Sequence, residues 1–160
     1  MNYAGYALLA PSCTTVTSPV ARFPFTVSAT VIPDCVTTAT DLDFGTTGTL
    51  TAARTGTATL TARCTHGSHY TTALGAGTSA GGSAASRRLQ RTGGTEPVDF
   101  QLYSDAAYAL PWGDGTGGTA TQGGTGTGLS QAYTVYGRVP TQATPVAGTY
   151  ADTITVTITC

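Results

Sequence analysis

Two histidines three residues apart, a serine framed as Gly-x-Ser-x-Gly, a Gly-x-Gly-x-x-Gly run and two aspartates flanking one leucine are the residues here whose types and spacing could do chemistry. His66 and His69 could offer metal ligands, but this spacing on a turn or strand gathers no third ligand, and only Cys64 lies near in sequence. They read as exposed turn histidines. Gly77-Thr-Ser-Ala-Gly81 has the form of a nucleophile elbow, which needs a strand-to-helix turn and an acid and a histidine following the serine. Both histidines precede Ser79, so the stretch reads as a Gly/Ser loop. Gly113-Asp-Gly-Thr-Gly-Gly118 would cradle a pyrophosphate only at a helix N-terminus, and Thr119-Ala-Thr-Gln-Gly-Gly that follows is no helix. Asp41 and Asp43 share a face around Leu42, yet nothing converges on them for acid–base work, and they read as solvent-facing. Trp112 reads as a core or rim residue with its N–H bonded rather than as a ligand platform. No nucleophile–base pair emerges, and neither an enzyme nor a metal or other cofactor is expected.

The cysteines carry a different chemistry. Cys13, Cys35, Cys64 and Cys160 lack CxxC spacing and fit disulfides of an oxidising compartment. Cys35 and Cys64 both fall at strand ends and are expected to pair. Closing that loop of about 29 residues contributes roughly 3–4 kcal/mol on the chain-entropy account. Cys13 and Cys160 remain, to bond within one chain or between copies.

The elements that must position these residues follow from composition and alternation. The 160 residues include 21 Gly and 35 Thr, and only 9% are charged. The length fits one domain with one core. All seven basic residues are scattered arginines and the net charge is −1, which leaves no basic face for nucleic acid. Without lysine there is no Walker-type phosphate loop and no Schiff base. No apolar run approaches the roughly 20 residues that span a bilayer. Period-two alternation dominates. Phe25, Val27, Ala29 and Val31 share one face, and Ile154, Val156 and Ile158 alternate with Thr153, Thr155, Thr157 and Thr159 across 150–159. Further strands are predicted at 41–45, 55–64, 69–74, 87–92, 98–104 and 132–139, with loops at 75–83 and 113–128. The sum is an all-β antiparallel sandwich of about seven strands.

Residues 1–24 stand apart as an N-terminal extension to a domain over 25–160. They lack the basic start of a secretory signal, and the apolar piece 6–10 is too short for its core. Their strand-like material precedes the first sandwich strand, while the last predicted strand runs to Cys160 with nothing after it to cover its free edge. One end thus offers a vacancy and the other a filler.

From Phe25 onward the chain resembles the spore coat protein U domain family, the pilin subunits of archaic chaperone–usher pili. The resemblance rests on Phe25-Thr-Val-Ser-Ala-Thr-Val-Ile-Pro-Asp-Cys35, Leu42-Asp-Phe-Gly45, Thr59-Leu-Thr-Ala-Arg-Cys64 and Phe100-Gln-Leu-Tyr-Ser-Asp-Ala106. Trp112-Gly-Asp-Gly115, Tyr133-Thr-Val-Tyr-Gly-Arg-Val-Pro140 and the segment 147–159 continue it in order. It implies an incomplete immunoglobulin-like sandwich of six to seven strands, lacking its last strand and completed by a donor strand from a neighbouring subunit. It also implies partners: a periplasmic chaperone, an outer-membrane usher and further copies of the chain, in a cell-surface pilus reached through the periplasm and serving adhesion or biofilm formation.

On that reading the donor lies within 2–22, where Tyr3, Gly5, Ala7 and Leu9 alternate and Val16 and Val20 follow. The acceptor groove is expected to be lined by Val27, Val31, Ile154, Val156 and Ile158. One domain plus an extension points to a shaft subunit. Two other readings use the same domain: a secreted spore or cell-coat protein, and a carbohydrate-binding module acting through Trp112 and Tyr108.

Overall fold

The computed structural model describes residues 23–160; the expected donor residues Tyr3, Gly5, Ala7, Leu9, Val16 and Val20, together with Cys13, lie outside them. The chain divides into two units, Met1–Val31 and Ile32–Cys160. Within the first, the strand expected over residues 25–31 does not form. Phe23, Phe25, Val27 and Val31 are each more than 80% exposed, at 88%, 86%, 82% and 81%. Alternation makes a strand only where a ladder partner and an apolar surface are both supplied, and the described residues of this segment have neither.

The second unit is all-β, with no helix among its described residues. Its strands are β1 (Cys35–Ala39), β2 (Arg54–Cys64), β3 (His69–Leu74), β4 (Arg87–Arg91), β5 (Pro97–Tyr103), β6 (Gln122–Thr125), β7 (Ser130–Val139), β8 (Tyr150–Ala151) and β9 (Val156–Thr159). They form a six-stranded sheet in the order β1-β2-β7-β5-β4-β8 and a three-stranded sheet in the order β6-β3-β9, every pairing antiparallel. The sandwich expected from alternation is present, with nine strands rather than about seven.

Alternation does the folding. In β2, Ala58, Leu60, Ala62 and Cys64 turn inward while Thr57, Thr59 and Arg63 face solvent; in β7, Val135 and Val139 turn inward. β2 and β7 pair from Arg54↔Val139 to Arg63↔Ser130, which superposes their inner faces. Val98, Phe100 and Leu102 of β5 complete a core that also holds Leu74 and Trp112. A smaller cluster of Ala62, Cys64 and Tyr70 sits at the other end, with Ile158 and Cys35 against it. There Cys35 and Cys64, direct register partners of β1 and β2, form the expected disulfide.

Three expected elements came out differently. Residues 41–45 make no ladder, although Leu42 and Phe44 still turn inward and Asp41 and Asp43 outward. The Asp43 carboxylate takes the N–H of Gly45 at 2.8 Å, a local turn that competes with strand pairing. The stretch 113–128, read as a loop, contains β6. Its glycines are what permit the approach: a Cβ on Gly124 would stand 2.8 Å from the Tyr133 hydroxyl and 2.9 Å from that of Tyr70. The single strand expected over 150–159 is two, with β8 in one sheet and β9 in the other. Asp152, at the crossing, spends its carboxylate on another loop: Oδ1 accepts from the N–H and hydroxyl of Thr78 at 2.9 and 3.1 Å, and of Ser79 at 2.9 and 3.0 Å.

Candidate functional site, an open groove beside an edge strand

The sheets leave a gap on one side. β1 ends the large sheet, β9 ends the small one, and the two lie near each other. β9 pairs with β3 on one edge, and among the described residues its other edge has no partner. Along the segment that leads into β9, and reaching its first residue Val156, opens a groove of about 1000 Å³. One wall is the segment after β1, including Leu42, Phe44 and Leu50; the other runs through Val146, Ile154 and Val156; the floor is core, with Leu60, Phe100 and Val135.

The wall at Leu42 and Phe44 is positioned by two glycines. Gly56 and Gly137 are register partners of β2 and β7. A Cβ on Gly56 would overlap the Asp43 carbonyl oxygen, and one on Gly137 would stand 2.7 Å from a Leu42 methyl and 3.0 Å from the Phe44 ring. Without side chains the pair forms a flat floor on which the segment lies. Phe44 then meets Phe100 edge-on, with centroids 6.0 Å apart.

The core also holds a buried charge. Arg87 is fully buried, and its guanidinium donates to the carbonyls of Gly75, Leu74 and Trp112 at 2.9, 2.8 and 3.0 Å and to Gln101 Oε1. Burial pulls it down to about 10, against the opposing pull of Asp114 and Asp152, so it stays charged at neutral pH. Trp112 is 1% exposed, and its indole N–H donates to the Thr72 carbonyl at 3.2 Å. The expected bonded core tryptophan is what the fold contains, and it has no face to offer a ligand.

Of the predicted acceptor residues, Ile154 and Val156 line the groove. Ile158 turns to the same side but packs on the smaller cluster. Val27 and Val31 belong to the other unit and are exposed. Sequence reasoning missed Leu42, Phe44, Leu50 and Val146. The alternation of Leu42 and Phe44 was visible and was assigned to a strand; Leu50 and Val146 sit in irregular segments with no periodic signal. Ser79 donates to Asp152, which commits it to pinning its loop, and the histidines stand at exposed positions around β3. Among the described residues no three His, Cys, Asp or Glu side chains gather as a metal site, and no helix is long and apolar enough to cross a membrane. Cys160 is exposed, with no disulfide partner among the described residues.

The family model of the Spore Coat Protein U domain matches residues 21–157. Protein U of Myxococcus xanthus is 37% identical over 108 residues, 65% of this chain and 59% of that protein, so the chain spans less than two thirds of its relative. The fold is like that of a chain in the crystal structure of the chaperone–tip adhesion subunit pre-assembly complex from the archaic chaperone-usher Csu pili of Acinetobacter baumannii. That likeness has a TM-score of 0.60 at 22% identity and covers 81% of this chain and 40% of the other.

Proposed function

The chain belongs to the Spore Coat Protein U domain family, and from that premise we propose that it is a structural subunit of an extracellular chaperone–usher pilus that assembles by strand addition. The observation that carries this reading is the apolar groove of about 1000 Å³ that leads to the open edge of β9. An added strand would hydrogen-bond to that edge and drop alternate side chains between Leu42, Phe44, Ile154 and Val156. Four or five apolar side chains at roughly 1.5–3 kcal/mol each would contribute about 6–15 kcal/mol before ordering costs.

The donor in this proposal is the N-terminal segment of the next copy, within 2–22, presenting Tyr3, Ala7 and Leu9 or the later pair Val16 and Val20. Until that copy arrives, a periplasmic chaperone occupies the groove, and an outer-membrane usher exchanges the two; adhesion or biofilm support belongs to the finished fibre. The test is electron microscopy of the full chain against a chain lacking 2–22. The full chain is expected to form thin fibres and the truncated one to bind chaperone without polymerising. Fibres from the truncated chain would overturn the donor assignment, and an intact chain that coats surfaces without fibres would favour a coat protein.

A covalent lock is part of the same proposal. Cys160 follows β9 directly, at one end of the edge that receives the donor. Cys13 of one copy bonds Cys160 of the next: two thiols lose two protons and two electrons to a protein disulfide of the oxidising compartment, which is reduced to its dithiol. Boiled fibres on a non-reducing gel are expected to run as a ladder that collapses with reductant, and a monomer band alone would refute the lock.

A further inference from the structure

The outer face of the six-stranded sheet carries a cluster that neither the core nor the groove uses. Tyr103 of β5 and Tyr136 of β7 are register partners. Both point away from the core, because their neighbours Leu102 and Val135 point into it. The turn after β5 folds back over them and brings in Tyr108. That tyrosine has φ +56°, the one positive φ at a non-glycine position among the described residues. Its strained backbone is held from several sides: Tyr108 N–H donates to the Asp105 carbonyl at 3.2 Å, Leu110 N–H to Asp105 Oδ1 at 2.7 Å, and Ser104 N–H to the Leu110 carbonyl at 3.0 Å. Residues held in sparsely populated backbone regions by their surroundings cluster at functional sites.

The Tyr108 ring meets Tyr103 and Tyr136 edge-on, at centroid distances of 5.5 and 6.5 Å, and all three remain partly exposed. The Arg138 guanidinium carbon lies 5.4 Å from the Tyr108 centroid. Arg138 is exposed and takes part in neither ion pair found among the described residues, which join Arg88 to Asp99 and Arg91 to Glu96. Around the cluster the same face presents Thr55 and Thr57, the register partners of Arg138 and Tyr136. A face of threonine, tyrosine and an unpaired arginine has no aliphatic centre for a dry protein interface. It offers ring surface for the C–H face of a sugar, hydroxyls for its oxygens and a planar fork for a carboxylate.

We propose that Tyr103, Tyr108, Tyr136 and Arg138 form a binding site for acidic saccharides, chains bearing uronic acid. The site stands on the opposite side of the sheet from the groove. A weak site repeated along any array of subunits gains strength through multivalency.

The experiment uses the full chain immobilised on a sensor surface and trigalacturonic acid as the analyte, with maltotriose as the uncharged control. Saturable millimolar binding of the acidic sugar is expected, weakened at least fivefold in 0.5 M salt, with no measurable binding of maltotriose. Arg138→Gln is expected to weaken it about tenfold. Tyr108→Gly suits the positive φ, so it keeps the turn and melts no lower than the parent, yet is expected to lose binding. Absence of saturable binding, or affinities unchanged in both variants, would overturn the site. Equal binding of maltotriose would overturn its acidic specificity. Loss of self-association in the variants without any sugar binding would assign the face to a second copy instead. None of these readouts depends on fibre formation.

Discussion

Arg87 brings a charge into the interior without a carboxylate in contact, and three backbone carbonyls with one amide take the place of water around it. Removing the donor leaves those carbonyls buried and unpaired, at about 1–3 kcal/mol each. Arg87→Met is therefore expected to lower unfolding free energy by about 3–5 kcal/mol in a urea titration. Arg87→Lys, with no planar fork, should recover less than half of that loss. Tyr70 answers to pH. Burial, and then its 2.6 Å hydrogen bond to Tyr133, raise its phenol from the ordinary 10.0 to about 12. The folded chain thus holds this proton more tightly than the unfolded one, so the contribution is whole below pH 10 and is lost as pH rises toward 12. Melting temperature should fall across that window, and fall less steeply in Tyr70→Phe.

Strands and their connections obey the same local chemistry with longer reach. The Cys35–Cys64 bond ties residues 29 apart, so Cys35→Ser with Cys64→Ser should cost about 3–4 kcal/mol, read as a shift of the urea midpoint. Gly56→Ala forces the segment under Asp43 outward; a loss of about 1–3 kcal/mol and a narrower groove are expected, the second seen as weaker chaperone binding. Most of this level was legible in the sequence. β2, β3, β5 and β7 alternate inward residues, mostly apolar, with polar or exposed ones such as Thr57, Thr59, Thr71, Asp99 and Thr134, and they lie within a residue or two of where alternation put them. The disulfide and the bonded tryptophan were legible too. β6 was not, because Gly123 and Gly124 are there for close approach and look like a loop when only composition is read. Nor was the break between β8 and β9, since alternation through Ile154, Val156 and Ile158 persists across it and only the long-range bonds of Asp152 reveal that the chain changes sheets. Part of the groove wall stayed hidden for the same reason: Leu50 and Val146 are placed by tertiary contacts that leave no period.

At the scale of the molecule, an open edge on a sandwich with little charge is an aggregation hazard unless something specific fills it. Ile154→Arg blocks the acceptor while leaving the N-terminal segment untouched. Such subunits should join a growing end as donors and accept nothing after, so mean fibre length in mixtures with the parent chain should fall as their fraction rises, measured on electron micrographs. In the proposed fibre a strand seated on β9 would deliver tension to the small sheet, from which the chain passes through residues 152–155 to β8 and the large sheet. The four hydrogen bonds on Asp152 Oδ1 anchor that segment to the loop at Thr78 and Ser79. In the proposed fibre that one carboxylate would act as a clamp under load, and the rate at which its bonds open would set the force at which a subunit gives way.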